Sequence, residues 1–568
     1  MQKIAKLDLR SLTVGQSKLY DEIVPNVQDT FNQIIGNIYD RNKNNHNWYF
    51  SSVASRNPHQ SPLFERLCKV RIVEILLSQN EFLEVYLDDY CLYKFILKNF
   101  QNNSLKVFFV GNKKSIINIF IILLYRYAKY IKIILCKWFI SSFWKINLIR
   151  DRNLFLIDTF VYSGNNGQGT INNGIYNDRY YPNLLKYTSD ENESEILYIP
   201  TLLIDNKFLS TFIKLLKQKK FLTKEPFIKS FDWLNLLILP LRKINLEGIN
   251  SKFKRYDIID FIRDELLFNK FSISKLISGI NYKFVKRLSS RNISIQGFIE
   301  WYENQVIDRG MILGLRKYFP DVKVCAYQGF VVCPNYNFYI APTKFEIDHL
   351  LAPHLIAVTG KCLLNEPKRN YNIKTIVAPA FRFQHLYNNR IKFPDIDKVT
   401  ILMPFSICLK SSLSNLKLLT GAVKSSVCTN QAVIVVKMHP AFSTEGVKNQ
   451  IKKIDCQIQI SDEEINLVLQ KTNILVGSAT SACVEALVYN ITVLIIANNS
   501  GITSNPIPGK YLNQCKIVYG ADDLTEHISA WYKNKPERLV EKTEILEDCF
   551  QEVNQNSLEA FLSEVKNY

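Results

Sequence analysis

The sequence predicts an α/β protein made of two doubly wound domains that face a central cleft, with a helical insertion in the first domain. Three observations lead to this. Apolar, β-rich runs alternate with helical runs along most of the 568 residues, a pattern that calls for parallel sheets covered by helices on both faces. A short polar, proline-containing segment, Lys392 to Asp397, separates two such series. The 47% hydrophobic content of so long a chain is enough to bury more than one core.

Taken in order, residues 1–45 read as an N-terminal extension and 46–390 as the first domain. WYFSSVAS reads as its first strand, followed by a helix from Pro62, strand FLEVYLDD, helix YCLYKFILKNF, strand KVFFVG, a basic amphipathic stretch over 115–147, and strands NLFLIDTFVY and EILYIP. The Gly/Asn-rich run Ser163 to Gly174 reads as a mobile loop directly after a strand. About 207–290 the chain turns almost wholly helical, an insertion suited to a lid or an acceptor-binding layer. Alternation resumes with strand ISIQGFIEWYEN, helix VIDRGMILGLRKYF, strands VKVCAYQGF and NFYIAPT, helix KFEIDHLLA, and strands HLIAVTG and TIVAPAF.

The second domain, 391–535, carries strands VTILMPF, AVIVVKMHP, QIQIS, NILVGS, TVLIIAN and KIVYG, with helices over 410–424, EEINLVLQK, SACVEALVYN and DDLTEHISAWY. Helices close the chain over 536–568.

An excess of 71 basic over 52 acidic residues, +19 in all, suits a polyanionic partner. The twelve cysteines contain no C-x-x-C pair and several lie in apolar runs, so a reducing compartment and no zinc site are expected. The segment Met1 to Arg10 is charged and lacks the apolar core of a secretory signal, so a cytoplasmic protein is expected. The apolar stretch from Ser115 to Asn147 is interrupted by Arg126, Lys129, Lys132 and Lys137, which leaves about eleven uncharged residues in a row, too few to span a bilayer. Those bases recur at near-helical spacing, the pattern of a helix lying in a lipid interface or of a buried helix with snorkelling lysines. Because the remaining bases are scattered, the charge reads as location on an anionic inner leaflet rather than as nucleic-acid recognition.

The candidate chemistry gathers in the second domain. Lys437-Met438-His439-Pro440 ends one strand, and Gly477-Ser478-Ala479-Thr480-Ser481 ends another and opens a helix. Free backbone N–H groups at a helix start, with hydroxyls from Ser478, Thr480 and Ser481, form an anion site to which His439 can add a donor. Glu485, one turn further in, could accept from ribose hydroxyls; its plain alternative is a first-turn glutamate favoured by the helix dipole. Acid–base work needs a carboxylate facing the donor across the cleft, and Glu303, Asp308 and Asp158 are the candidates. Glu303 ranks first, because it follows the apolar residues of IQGFIEWY and precedes a helix, with helix capping as its alternative role. Asp158 interrupts a buried strand, which carries a desolvation cost unless it is paired or functional. Ser55, Arg56 and Asn57, and Asp178-Arg179 after the glycine-rich loop, are candidates to hold an acceptor sugar or its phosphate.

The series V-V-K-M-H-P, S-D-E-E, I-L-V-G-S-A-T-S-A-C-V-E-A-L and T-V-L-I-I resembles the donor half of GT-B glycosyltransferases, above all the bacterial sialyltransferases and Kdo transferases that use CMP-sugars. W-Y-F-S-S-V-A-S-R-N-P-H-Q-S-P-L-F, D-R-Y-Y-P, W-Y-E-N-Q-x-x-D-R-G and Y-Q-G resemble transferases of O-antigen and capsule gene clusters. The resemblance covers roughly residues 46–535. It implies that His439, Ser478, Thr480 and Ser481 hold the donor phosphate and Glu485 the ribose, with Lys437 and Pro440 in the same nucleotide-binding site. It also implies transfer to a glycan or lipid-linked acceptor, with the nucleotide sugar as co-substrate and no further cofactor; no obligatory metal is expected, because the nearest acidic pair after a strand, Asp88-Asp89, lacks the Asp-x-Asp spacing of metal-dependent transferases. Two departures stand out: no D-D-G or E-D-G triplet occurs in the N-terminal half, and the D-x-S-S of teichoic-acid polymerases is here Val476-Gly477-Ser478-Ala479. Other readings are a CDP-glycerol-type phosphotransferase, a UDP-sugar 2-epimerase, or a non-catalytic basic protein binding lipid or nucleic acid.

Overall fold

The computed structural model of the chain describes residues 5–100, 104–111, 119–143, 153–161, 171–172, 175–176, 178–188, 195–202, 208–216, 220–366, 373–388, 399–439, 442, 444–455, 457–534 and 544–566. Two six-stranded, all-parallel sheets organise it. In the second domain the strands run, in spatial order, Gln459–Ser461, Ala432–Lys437, Val399–Pro404, Ile474–Gly477, Thr492–Ile496 and Cys515–Val518. Numbered along the chain this is 3-2-1-4-5-6, the doubly wound dinucleotide-binding order, and its switch point lies between Val399–Pro404 and Ile474–Gly477. The alternation predicted for this domain is observed strand for strand; the helix Thr444–Ile454 was not foreseen.

The first large sheet runs Lys374–Val377, Leu355–Val358, Val324–Gln328, Ser294–Trp301, Asn153–Val161 and Ile196–Leu202, order 6-5-4-3-1-2 along the chain. Its switch point lies between Asn153–Val161 and Ser294–Trp301, where ligands of such sheets bind. Between Ile196–Leu202 and Ser294–Trp301 comes the helical insertion, with helices Phe208–Leu216, Ser230–Ile238, Ile259–Phe268 and Ile273–Ser289 among the described residues. The last of these lies against Val306–Tyr318 so closely that a methyl on Gly310 would sit 1.8 Å from the Ser278 carbonyl oxygen.

Three expectations are corrected. WYFSSVAS is not a strand: Asn45 Oδ1 accepts from Asn47 N at 3.1 Å and Ser51 Oγ from Ala54 N at 3.2 Å, which starts the short helices His46–Tyr49 and Ser52–Ser55. NFYIAPT is the helix Asn337–Ile340, because a short run buried on every side carries no period to separate strand from helix. The strands at Leu83–Leu87 and Leu105–Phe109 join neither large sheet; with Ala5–Asp8, inside the supposed extension, they form a separate three-stranded parallel sheet. Helix Val14–Arg41, opened by a Thr13/Gln16 capping box, packs beside that sheet.

At its end the chain crosses back. Phe550 joins the main core cluster, while Leu558, Phe561, Leu562 and Val565 are buried against the first large sheet, whose Lys323 Nζ donates to the carbonyls of Glu564 and Lys566 at 3.2 and 3.1 Å. No helix among the described residues is long and apolar enough to cross a membrane.

Candidate active site

At the C-terminal edge of the first sheet, the loop after Trp301 is built by interlocking backbone and side chains. Asp308 Oδ2 accepts from Gln305 N at 2.8 Å and Glu303 N at 3.3 Å, closing the first turn of helix Val306–Tyr318. Asp308 is therefore a buried helix cap; burial raises its pKa well above the usual carboxylate range. Asn57 Nδ2 donates to the Glu303 carbonyl at 3.1 Å, Asn304 Nδ2 to the Ser55 carbonyl at 3.1 Å, and Val306 N to Gln60 Oε1 at 3.1 Å. The segment from Ser55 to Gln60 thus backs the loop that carries Glu303.

This arrangement corrects the roles expected of Ser55, Arg56 and Asn57. Arg56 is 1% exposed and does not reach the cleft. Its guanidinium pairs with Glu346 at 2.6 Å and donates to the carbonyls of Tyr339 and Ala341 at 3.1 and 3.0 Å. Arg309 clasps the same glutamate from the other side. The two arginine charges offset burial and hold the Glu346 carboxyl below the usual range. Ser55 is wholly buried, its hydroxyl on the Ser52 carbonyl at 2.6 Å. All three residues support the site without lining it.

Glu303 itself is half-buried, one carboxylate oxygen accepting from Trp301 Nε1 at 2.8 Å and the other from Gln305 Nε2 at 2.7 Å. Both donors are neutral, so the carboxylate is oriented without being neutralised by an ion pair. Asp158, by contrast, lies within the sheet at 4% exposure. Burial pushes its pKa up to about 6 against the pull of Lys224, whose Nζ lies 3.7 Å away and bonds Thr201 Oγ1 and Asn281 Oδ1 at 2.7 and 2.8 Å. Asp158 is thus a buried aspartate paired with Lys224.

Beside Glu303, Asp178 shapes a turn. It accepts from Thr159 Oγ1 at 2.7 Å and from the backbone N–H of Tyr180 and Tyr181 at 2.7 and 2.9 Å, so it positions Arg179 and is itself buried. Tyr180 packs edge-on to Trp301 at 4.4 Å, and Arg382 lies over the same indole at 5.7 Å. Arg179 and Arg382 are close enough that each charge acts on His439 of the second domain. Arg382 also feels Glu303 and Glu485. Burial, then these two arginines, lower the His439 pKa, which keeps the ring neutral near pH 7. The exposed His59 ring stacks on Tyr336 at 5.5 Å, close enough to Glu303 to feel its charge.

The two edges therefore meet in one crevice. Arg179, Arg382 and His439 supply positive and donor groups, Glu303 stands on the first-domain side, and Trp301 with Tyr180 forms an aromatic wall. A link across the crevice is made by His385, in the segment that leaves the first domain. Its Nε2 lies 2.9 Å from Glu485 Oε2, while Glu485 Oε1 accepts from Ser481 Oγ at 3.1 Å. Burial lowers the His385 pKa, but the Glu485 hydrogen bond and charge outweigh it, so the net shift is upward. Glu485 is 4% exposed and engaged with His385, which corrects its expected place on a ribose.

Ser478, Thr480 and Ser481 lie at the end of Ile474–Gly477, half-buried, with Ala482 N donating to Thr480 Oγ1 at 3.4 Å. The helix that follows, Ala482–Val488, is only seven residues long. Lys437 reaches sideways to the Glu463 carbonyl. Pro440 and most of the loop from Ser163 to Gly174 lie outside the described residues.

Sequence reasoning missed Arg382, His385 and His59. The signal available for the first two was the basic F-R-F-Q-H run at the end of the first domain, of which only Phe381 entered the reading of the strand TIVAPAF.

No family model matches the chain, and no curated protein matches it either. Among solved structures it is similar to the UDP complex of MnaA from S. aureus, with 11% identity and a TM-score of 0.41 over 72% of this chain and 96% of that one. It is similar to UDP-GlcNAc 2-epimerase from Neisseria meningitidis bound to UDP-GlcNAc, with 11% identity and a TM-score of 0.40 over 72% and 99%. The trehalose-6-phosphate synthase OtsA gives 9% identity and a TM-score of 0.39 over 73% and 99%. At this degree of similarity none of them bears on the chemistry of the site.

Proposed function

We propose that this chain is a glycosyltransferase that moves a sugar from a nucleotide-activated donor, CMP-linked Kdo or another nonulosonate in preference, to a surface-polysaccharide or lipid-linked acceptor. The observation that carries the reading is that Arg382, stacked over the Trp301 indole that holds Glu303, acts together with Arg179 on His439 of the second domain. Adjacent guanidinium groups repel one another, and a phosphate relieves that repulsion by accepting from both. Ser478, Thr480 and Ser481 add hydroxyl donors. With so short a helix behind them, the holding of the anion falls to the arginines and hydroxyls rather than to a macrodipole.

In this reading the bond between the sugar's anomeric carbon and the donor phosphate breaks as the acceptor oxygen attacks. The charge that develops on the leaving phosphate is met by Arg179, Arg382 and His439. Glu303, held by two neutral donors, takes the proton from the acceptor hydroxyl. The hydrogen bond between His385 and Glu485 sets how the donor half sits over Glu303.

A peripheral position on an anionic inner leaflet is part of the same proposal. Helix Ile119–Phe143 buries Tyr130, Ile133, Ile134 and Lys137, the last paired with Glu225, and turns Ile121, Leu124, Tyr125, Leu135, Phe139 and Phe143 outward. Phe231, Leu234 and Ile238 of the adjoining helix Ser230–Ile238 are also exposed, joined to it by Tyr130 Oη on the Leu236 carbonyl at 2.8 Å. Exposed Lys129 and Lys132 sit within that apolar face, the composition that favours an anionic lipid surface.

The test is a thermal-shift panel of CMP, CDP, UDP, GDP and single-stranded DNA. A ligand at about 100 times its Kd stabilises by about 2.7 kcal/mol. A selective CMP response is expected. A selective UDP response redirects the donor and brings the 2-epimerase reading forward, a CDP response the phosphotransferase reading, and a response to DNA alone overturns the enzyme reading.

A further inference from the structure

Cys362 and Cys549 are 187 residues apart in sequence, and their sulfurs lie 3.0 Å apart. They meet where the chain returns from the second domain to the first. Helix Glu544–Cys549 is gripped from the second domain by Lys510 Nζ, 2.9 Å from Glu544 Oε1 and 2.8 Å from Asp548 Oδ2, and by Tyr511 Oη, which donates to Asp548 Oδ2 at 2.7 Å. From the first domain, Thr359 Oγ1 donates to the Cys549 carbonyl at 3.1 Å, and Gln551 N donates to the Thr359 carbonyl at 2.6 Å. There is no slack between the two segments: a methyl on Gly360 would come within 2.2 Å of the Cys549 carbonyl carbon.

We propose that Cys362 and Cys549 form a thiol-modification site, a dithiol that a small-molecule disulfide converts into an intramolecular disulfide, and that this bond staples the returning segment to the first domain. The half-buried Cys362 is open to attack a soluble disulfide, whereas Cys549 is buried. The hydrogen bond with Cys362, and then burial, push the Cys549 thiol pKa up, so Cys362 makes the first attack. Its thiolate forms a bond to one sulfur of glutathione disulfide, the glutathione S–S bond breaks, and one glutathione thiolate leaves. The Cys549 sulfur then attacks Cys362 Sγ, gives up its proton and expels the second glutathione. Two cysteine thiols are oxidised by two electrons and one glutathione disulfide is reduced to two glutathione thiols. The sulfurs need to close only from 3.0 Å to about 2.05 Å. In a reducing compartment such a bond forms transiently, as a response to oxidant. Because the stapled helix is held by both domains, the bond restrains their relative movement over the crevice.

The chemistry and its readouts involve no nucleotide, so they stand or fall apart from the proposed activity. The folded full-length chain is incubated with glutathione disulfide, digested without reductant and analysed by mass spectrometry, with amide exchange followed over 544–566. The expected result is a Cys362–Cys549 linked peptide two hydrogens lighter than its parts, reversed by dithiothreitol, with exchange in that segment slowed by about tenfold or more. Cys549→Ser should leave glutathione stranded on Cys362, and Cys362→Ser, at a half-buried position, should give neither product. Wild-type protein that carries glutathione on Cys362 without a linked peptide, or leaves Cys362 unmodified while exposed Cys136 and Cys408 react, overturns the site. A linked peptide with unchanged exchange overturns the staple.

Discussion

Glu303 and His385 show how far a single side chain is set by its neighbours. Glu303 is a free-looking glutamate in the sequence, yet Trp301 Nε1 and Gln305 Nε2 each hold one of its oxygens. Glu303→Gln keeps the size and removes the base, so turnover should fall by about 10²- to 10⁴-fold while nucleotide affinity is unchanged, as read by steady-state kinetics beside calorimetry. Full activity in that variant removes Glu303 from the role. His385 gives a pH prediction. Its folded pKa is raised above the unfolded value of about 6.5, so the stability that the Glu485 pair contributes is fully present below about 6.5 and is lost as pH rises through the folded value. The melting temperature of the wild type should therefore exceed that of Glu485→Gln by a few degrees near about pH 6, and the gap should narrow by about pH 9. A gap that widens with pH contradicts the pairing.

At the scale of elements, the second domain was legible in the sequence strand for strand, because most of its strands are short apolar runs ended by a turn signal, although the helix Thr444–Ile454 went unread. In the first domain all six strands of the large sheet were legible as well, whereas WYFSSVAS and NFYIAPT were misread and the sheet to which Leu83–Leu87 and Leu105–Phe109 belong was not. WYFSSVAS failed because its apolar residues are buried as short capped helices, and β-rich composition measures burial as much as backbone shape. The basic helix Ile119–Phe143 buries and pairs Lys137, as a core helix would, and leaves Lys129 and Lys132 exposed among outward apolar residues, the feature on which the proposed lipid contact rests. Replacing Phe139 and Phe143 together by Asp should lower binding to vesicles containing anionic lipid by about tenfold or more, with the fold unchanged by circular dichroism. Equal sedimentation of wild type and variant with such vesicles argues against this face as the contact.

For the whole molecule, the C-terminal segment is the part whose role only the assembled fold reveals. Residues 536–568 read as trailing helices, yet Phe550, Leu558, Phe561, Leu562 and Val565 complete the covering of the first domain. A chain ending at Asn534 would lose these five large buried side chains and bare the apolar surface they cover, each contributing about 1.5–3 kcal/mol, a sum comparable to the whole stability of about 5–15 kcal/mol typical of a native protein. That truncation should lose its cooperative thermal transition, and retention of a sharp one at the wild-type temperature would show the segment to be dispensable. The sequence by itself determined the class, the two parallel-sheet domains, the helical insertion and the second-domain turns that carry His439 and Ser478–Ser481, because periodicity and turn chemistry are local. Only the tertiary structure decided which polar groups face the crevice. Arg56, an attractive cleft residue in sequence, is consumed by Glu346 and backbone carbonyls, whereas Arg382, unnoticed there, lies over the Trp301 indole that holds Glu303. Burial and partnership join residues hundreds of positions apart, and no local pattern records them.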